Sequence, residues 1–243
     1  MARDDTFLRD IAERVANAGG ILGAVAYPVP DIDHLLDRMF HAASQYGLDL
    51  DFHADETADP AADALRRIAE TALRSSFEKK ITVGHCCSLA MQEPSVVDAT
   101  LDKVAAAGIN VVALPTCNLY LQDRRTDGTT PRWRGVTLLH EMKRRGIAVA
   151  LASDNTRDPF NAYGDLDMLE TFRLGTRAAR RFGAAGGGDD LALRLGAEGA
   201  RIGGLLLGRQ GRGRAVAGQA RRDGLEDRRF RRAGADRVAD AAA

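Results

Sequence analysis

Short apolar runs alternate with stretches of helical periodicity over most of the chain. Five apolar runs bounded by turn-forming residues begin near positions 21, 48, 81, 109 and 147. In the stretch after each run, apolar residues recur every three or four positions, as on the buried face of a helix. Such alternation predicts a parallel sheet covered by helices, because near-continuous apolar strands are buried on both faces.

The spacing of these units favours one architecture among α/β folds. Successive runs begin about 30 residues apart, which is typical of a (β/α)8 barrel of roughly 250 residues. Polar residues follow at least four of the runs, whereas an open doubly wound sheet would concentrate them at one crevice. Because only five units are visible, we predict an α/β fold with part of a (β/α)8 barrel.

The composition gives few indications of partners. The 34 basic and 34 acidic residues cancel, so the charge does not indicate a nucleic-acid partner. There is no signal-peptide pattern, and no apolar run approaches the roughly 18 residues of a membrane helix. Three cysteines, two of them adjacent, predict no disulfide framework. We therefore expect a cytoplasmic protein without nucleic-acid or membrane partners, and the sequence leaves homo-oligomers open.

The composition changes sharply near residue 183. Residues 183–243 lack ten residue types, among them Ser, Thr, Pro and Lys, and contain 12 arginines. We therefore predict the partial barrel over residues 1–182 and an irregular Gly/Ala/Arg tail over residues 183–243. A shift of reading frame in a GC-rich gene would explain the change, and a natural disordered basic tail is the alternative.

Polar side chains at the ends of three predicted strands form a candidate catalytic site. His53 follows the second run, and Asp55 and Glu56 come two and three positions later. His85 ends the third run, and Asp154 follows the last. Because the carboxyl ends of barrel strands meet at one rim, these side chains can converge on a metal ion. A structural histidine, an exposed loop carboxylate and a helix cap are the ordinary alternatives.

The residue types at these positions suit metal-assisted hydrolysis. Imidazole nitrogens and carboxylate oxygens bind Zn²⁺ and Fe²⁺ alike, so the residue types leave the identity of the divalent ion open. Glu56 lies where a general acid or base is needed, and Asp154 can bind the ion and accept a proton from water. His85 binds the ion or donates a hydrogen bond to the attacking oxygen. Asn118 and Phe160 lie in segments that can line the substrate side of the rim.

Several short motifs together resemble one enzyme family. The motifs are His53-Ala-Asp-Glu56, Gly84-His-Cys86, Leu114-Pro115 with Asn118-Leu-Tyr-Leu-Gln-Asp123, Pro131-Arg132 with Arg134-Gly135, and Ser153-Asp-Asn155 with Asp158-Pro-Phe160. Over residues 20–182 they resemble the cytosine deaminase-like branch of the amidohydrolase superfamily. The resemblance implies barrel strands four to eight, one divalent metal and hydrolytic removal of an exocyclic amine from a nitrogen heterocycle. Cytosine is the first candidate substrate, which implies pyrimidine metabolism, and an amino- or alkylamino-triazine is the alternative.

The resemblance also implies roles for individual residues. His53 resembles the metal ligand of barrel strand five, and Glu56 resembles the proton shuttle between water, ring nitrogen and leaving amine. His85 resembles the histidine that orients the hydrolytic water. Asp154 resembles the strand-eight ligand and base, and Phe160 matches a bulky aromatic near the pocket.

One departure from the family pattern concerns the metal. The family takes two further ligands from a His-x-His motif on its first strand, and none of the five histidines here forms that motif. Two protein ligands are fewer than the three that catalytic zinc normally has. We therefore expect the chain to be inactive alone, and a non-catalytic remnant of such an enzyme is the alternative. Uncovered strand edges would also favour aggregation or a partner.

Overall fold

Five parallel strands form one sheet in the computed structural model, which describes residues 4–179. The strands are β1 (Leu22–Ala26), β2 (Leu50–Ala54), β3 (Ile81–His85), β4 (Asn110–Ala113) and β5 (Val149–Leu151). The helices are α1 (Asp5–Asn17), α2 (Ile32–Tyr46), α3 (Ala64–Arg74), α4 (Pro94–Ala106), α5 (Pro115–Leu121), α6 (Leu139–Arg144) and α7 (Met168–Ala178), and a 3-10 helix (Cys87–Met91) follows β3. The spatial order β1-β2-β3-β4-β5 matches the chain order, as in consecutive units of a barrel. The predicted α/β fold is confirmed.

The main core lies between the sheet and its helices. Phe52 of β2 is fully buried and stacks against Phe40 of α2, with ring centroids 6.1 Å apart. Its neighbours on the same face of β2, Leu50 and Ala54, are at most 2% exposed. Because side chains alternate along a strand, His53 lies on the opposite face, where it is exposed. The packing of Phe52 therefore fixes the face that His53 presents.

Two predicted helices begin later than their sequence patterns indicate. Helix α3 begins at Ala64, although Asp59-Pro60 is a typical start signal, because the chain between them forms a loop after β2. The helical spacing of apolar residues puts Leu73 on the same face as Leu65 and Ile68, but Leu73 is 43% exposed near the end of this helix. Helix α6 begins at Leu139, although helical spacing extends from Gly135, because Gly135 has φ +68°.

The first strand is more exposed than its apolar run predicts. Within the described residues, β1 pairs only with β2, so one of its edges has no neighbouring strand. Val25 is accordingly 41% exposed and Tyr27 64% exposed. No helix among residues 4–179 is long and apolar enough to span a membrane. The predicted tail and its boundary at residue 183 lie outside the described residues.

Candidate active site

Left-handed backbone conformations concentrate where three of the strands end. Asp55 follows β2 with φ 56°, His85 and Cys86 at the end of β3 have φ 71° and 52°, and Asp154 after β5 has φ 66°. Such conformations are unfavourable for non-glycine residues, cost on the order of 1–3 kcal/mol each, and cluster at functional sites. Here each one turns the chain sharply at the same edge of the sheet, so the side chains after the strands are directed toward one another.

Two histidines meet at this edge. Nδ1 of His53 lies 2.9 Å from Nε2 of His85, and the two ring centroids are 4.9 Å apart. The contact follows from the register of the sheet, because His53 pairs with Gly84 and Ala54 pairs with His85. The predicted convergence of these two residues is therefore found.

Two carboxylates flank His85 on its two nitrogens. Oε1 of Glu56 lies 3.5 Å from Nδ1 of His85, and Oδ2 of Asp154 lies 3.9 Å from Nε2. The His85 side chain is 2% exposed, whereas that of Glu56 is 34% exposed, so the glutamate lies between the buried imidazole and the open rim. The structure thus brings together all four residues that the sequence nominated for catalysis and metal binding.

Asn118 lies behind His85 and fixes its orientation. Its Nδ2 donates to the carbonyl oxygen of Gly135 at 3.2 Å and to Sγ of Cys87 at 3.1 Å. Its Oδ1 therefore faces Nδ1 of His85 at 3.0 Å and accepts a hydrogen bond from the N–H there. Neutral His85 accordingly keeps its lone pair on Nε2. This buried asparagine, 1% exposed, contacts the protein through every polar atom of its amide, and its predicted contact with substrate stays a prediction.

Phe160 lies in a loop that a single carboxylate organises. Asp158 accepts hydrogen bonds from the backbone N–H of Phe160 and of Asn161, and from Nδ2 of Asn155. The Phe160 side chain is 60% exposed at the surface of this loop. The structure therefore does not bring Phe160 into the group formed by the histidines and carboxylates, and its contact with a substrate ring stays a prediction.

Comparison with known proteins places the chain in a family. Residues 12–196 match the amidohydrolase family. The chain belongs to the amidohydrolase family. Pterin deaminase of Rhizobium rhizogenes is 56% identical to it over 174 residues, a match that covers 72% of this chain and 40% of that protein. This amidohydrolase thus spans well under half the length of that curated relative.

Two further relatives act on other heterocycles, as their names state. N-isopropylammelide isopropyl amidohydrolase of Pseudomonas sp. strain ADP is 25% identical over 158 residues, covering 63% of this chain and 36% of that protein. The structure of 5-methylcytosine deaminase from Klebsiella pneumoniae, liganded with 5-fluorocytosine, matches with a TM-score of 0.68 and 26% identity. That match covers 80% of this chain and 48% of the other. The superfamily assignment from the sequence is confirmed, and its cytosine deaminase-like branch stays a prediction.

Proteins of the amidohydrolase superfamily typically bind a divalent metal, and the residues here fit one side of such a site. Oδ2 of Asp154 is buried and has no hydrogen-bond partner in the described part of the chain, as expected for an atom that faces a cation. Imidazole and carboxylate donors suit zinc and iron. Across residues 4–179, however, no group of three or more His, Cys, Asp or Glu side chains is arranged to hold a metal ion. The amidohydrolase chain therefore supplies a partial ligand set.

Burial shifts the pKa values of the catalytic candidates. Desolvation raises the pKa of Glu56, the negative charge of Asp154 raises it further, and His53 and Gln122 oppose the shift. Desolvation lowers the pKa of His85, against the opposing effects of Asn118 and Asp154. Glu56 therefore keeps its proton to a higher pH than an ordinary glutamate, and His85 stays neutral to a lower pH than an ordinary histidine.

Asp51 is a site residue that sequence reasoning missed. It precedes His53 by two positions on β2 and therefore lies on the same face of the sheet. Burial raises its pKa, and the nearby charges of His53 and His85 lower it. Asp51 could have been identified from the sequence as a third carboxylate of the site, because side chains two positions apart on a strand lie on the same face.

Proposed function

We propose that this chain forms one wall of the active site of a hydrolytic deaminase that removes an exocyclic amine from a nitrogen heterocycle. The observation that carries the proposal is the placement of two carboxylates, Glu56 and Asp154, on either side of the buried imidazole of His85. Hydrolytic deamination needs one group that accepts a proton from water and another that delivers a proton to the ring and the departing amine. The two carboxylates provide this pair.

Each residue has a distinct part in this proposal. Glu56 carries the proton, since its raised pKa and its position at the open rim suit transfer to a bound ring. Asp154 accepts a proton from the attacking water. His85, held neutral by burial, orients that water. His53 and Asp154 would hold a divalent ion, Zn²⁺ or Fe²⁺, which would make a water molecule acidic enough to attack near neutral pH.

We propose a pterin as the first substrate to test. The relative with 56% identity is named a pterin deaminase, and this identity is far above that of the two other relatives. A pterin carries its exocyclic amine on a cyclic guanidine, and cytosine carries its own on a cyclic amidine. In both substrates water would replace the amine at a ring carbon, and ammonia would leave. Cytosine, the first candidate from the sequence, becomes the second, and an alkylamino-triazine is the third. Asn118 supports the site from behind His85, and Phe160 is a candidate aromatic wall for the bicyclic ring.

A non-catalytic role for the chain on its own is the second candidate. The incomplete set of metal donors among residues 4–179 favours it, because catalytic zinc normally has three protein ligands and a water. In that case the chain keeps the fold and one wall of the site and lacks turnover.

Release of the amine product tests these alternatives. The purified chain is incubated with Zn²⁺ or Fe²⁺ and with pterin, cytosine or N-isopropylammelide in parallel, and ammonia is measured for the first two substrates and isopropylamine for the third. Preferential ammonia release from pterin that E56Q abolishes would support the first proposal, and faster release from cytosine would contradict the choice of substrate. Absence of turnover with all three, together with absence of bound metal, would favour the non-catalytic role.

A further inference from the structure

Asp55 lies in the sequence between His53, a candidate metal ligand, and Glu56, the proposed proton carrier. The proposed reaction does not use its buried carboxylate. It is 6% exposed. Oδ1 accepts a hydrogen bond from the backbone N–H of Ala64 at 2.9 Å, and Oδ2 accepts one from Leu65 at 2.9 Å. These two N–H groups begin helix α3, so the carboxylate binds the positive end of the helix from nine residues upstream.

The backbone of Asp55 is fixed as firmly as its side chain. Its carbonyl oxygen accepts a hydrogen bond from the N–H of Ser88 at 3.1 Å, in the 3-10 helix after β3. The preceding carbonyl, that of Ala54, accepts from Cys86 at 3.0 Å. With φ at 56°, the residue turns the chain directly after β2. Asp55 therefore ties the end of β2 both to α3 and to the segment that follows His85.

Glu56 is the next residue, and its position depends on this turn. Its side chain reaches over His85, with Oε1 3.5 Å from Nδ1, although it is 34% exposed. Its carbonyl oxygen accepts a weak hydrogen bond from Nε2 of Gln122 at 3.4 Å. The direction in which Glu56 leaves the sheet is thus determined mainly by the conformation and anchoring of Asp55.

We propose that Asp55 is a positioning residue, whose carboxylate holds the turn after β2 on the N-terminus of α3 and thereby points Glu56 at His85. This inference rests on the proposed function in assigning Glu56 a catalytic part. A carboxylate is required because two N–H donors face it. An asparagine would offer one oxygen and place an NH₂ group against the other donor. Asparagine tolerates positive φ, so D55N changes the hydrogen bonding and preserves the backbone preference.

The chain offers a matched control in Asp167. Its Oδ1 accepts hydrogen bonds from the backbone N–H groups of Leu169 at 2.8 Å and Glu170 at 3.2 Å, and so caps helix α7. Both hydrogen bonds end on one oxygen, which asparagine would keep, so D167A is the variant that removes this helix cap, and it has no connection to the turn that precedes Glu56. Both variants are made in the full chain and compared with E56Q.

Residue-resolved amide hydrogen exchange tests the inference without any need for turnover. In the unchanged chain, Ala64 and Leu65 should exchange at least roughly tenfold more slowly than Leu169 and Glu170, because their acceptor is buried. D55N should accelerate exchange at Ala64, at Leu65 and also at Ser88, whose acceptor is the carbonyl oxygen of Asp55. D167A should accelerate exchange only at the start of α7. Equal exchange at both helix starts in the unchanged chain, or an unaffected Ser88 in D55N, would overturn the inference. The comparison of the two helix starts needs only the unchanged chain, so it can overturn the inference even if D55N does not fold.

Turnover adds a second measurement that a merely structural role would not satisfy. Wherever the chain releases ammonia, D55N should lower kcat by roughly 10- to 100-fold with little change in KM. The double variant D55N/E56Q should then be no slower than E56Q alone, because E56Q has already removed the carboxylate that D55N would misplace. Independent, multiplying losses would refute the assignment. If the unchanged chain shows no turnover, the proposed function fails for this chain, and the exchange data alone decide whether Asp55 anchors the turn.

Discussion

Oδ1 of Asn118 lies 3.0 Å from Nδ1 of His85, and this contact sets which nitrogen of the imidazole carries the proton. The amide cannot rotate without cost, because its Nδ2 already donates to the carbonyl oxygen of Gly135 and to Sγ of Cys87. The lone pair of neutral His85 is therefore directed toward His53 and Asp154, the two candidate ligands of a metal. A residue on α5 thus controls the chemistry of a residue at the end of β3.

Replacing Asn118 by alanine should disturb both stability and catalysis. N118A leaves Nδ1 of His85 and the buried carbonyl of Gly135 without their partner, which should lower the free energy of unfolding by about 1–3 kcal/mol. Turnover should fall because His85 loses its fixed tautomer. Urea denaturation and ammonia release measure the two effects. Asn110, whose Nδ2 donates to the carbonyl oxygen of Ile81 at 3.3 Å, provides the control N110A. Equal losses of turnover in the two variants would contradict a specific role for Asn118.

Glu56 should be a residue whose replacement costs activity and increases stability at neutral pH. Its folded-state pKa is raised above the ordinary 4.5, so between these two values the folded protein binds more protons than the unfolded chain. Stability contributed by the protonated carboxyl is therefore present below pH 4.5 and is lost as the pH rises through the folded-state pKa. E56Q cannot ionise and should unfold at a higher temperature than the unchanged chain at about pH 7, with the difference decreasing toward about pH 4.

The same variant should be catalytically impaired. Loss of a general acid or base lowers turnover by about 10²–10⁴-fold. Thermal denaturation at several pH values, together with ammonia release, gives both readings. The exposed Glu78 supplies the control, and E78Q should change neither quantity. If E56Q instead melts below the unchanged chain at neutral pH, the ionised carboxylate stabilises the fold and the expected direction is wrong.

Gly135 should tolerate no side chain. With φ +68°, it adopts a conformation that costs an L-residue roughly 1–2 kcal/mol. A Cβ atom there would also clash with Cγ of Gln122 and lie 3.3 Å from Cβ of Asn118. G146A is the matched control, since Gly146 has φ +74° and nothing within 4 Å of an added Cβ. Urea denaturation should show a clearly larger loss for G135A than for G146A, and equal losses would mean that the clash is relieved without cost.

Metal binding should depend on His53 and Asp154. H53N and D154N should each reduce the zinc or iron that the chain retains in equilibrium dialysis, because each removes one of the candidate donors. Retention should be weak even in the unchanged chain, given the incomplete donor set in the described residues. His34, exposed on α2, supplies the control H34N. If H34N lowers retention as much as H53N, the bound metal is not at the proposed site.

The centre of the site could be predicted from the sequence, because the positions of His53, His85 and Asp154 at strand ends follow from short-range patterns alone. Apolar runs locate the strands, parallel strands share an edge, and so His53, His85 and Asp154 had to lie near one another. Asn118 was predicted on the substrate side of the rim, and that role stays a prediction. Its contact with His85 spans 33 residues and depends on how α5 packs on the end of β3. No periodicity in the sequence encodes that packing.

Other differences have similarly tertiary causes. The start of α3 was expected near Pro60 from local signals, whereas the N–H groups that Asp55 binds belong to Ala64 and Leu65. The resemblance places the ring of Phe160 near the pocket, and this role stays a prediction; the structure shows the ring 60% exposed on a loop that the hydrogen bonds of Asp158 hold. In both cases one buried or bridging carboxylate, rather than propensity, sets the conformation.

The order of the strands bears on how the chain folds as it is synthesised. Every strand pairs with the strand before or after it in the chain, so each new pairing closes a loop of similar, modest length and similar entropic cost. The sheet can therefore extend one unit at a time as a nascent polypeptide leaves the ribosome, from the N-terminal end. His53 and His85, on the second and third strands, can then meet while Asp154 has yet to be translated, and the imidazole pair precedes the carboxylate that completes their surroundings.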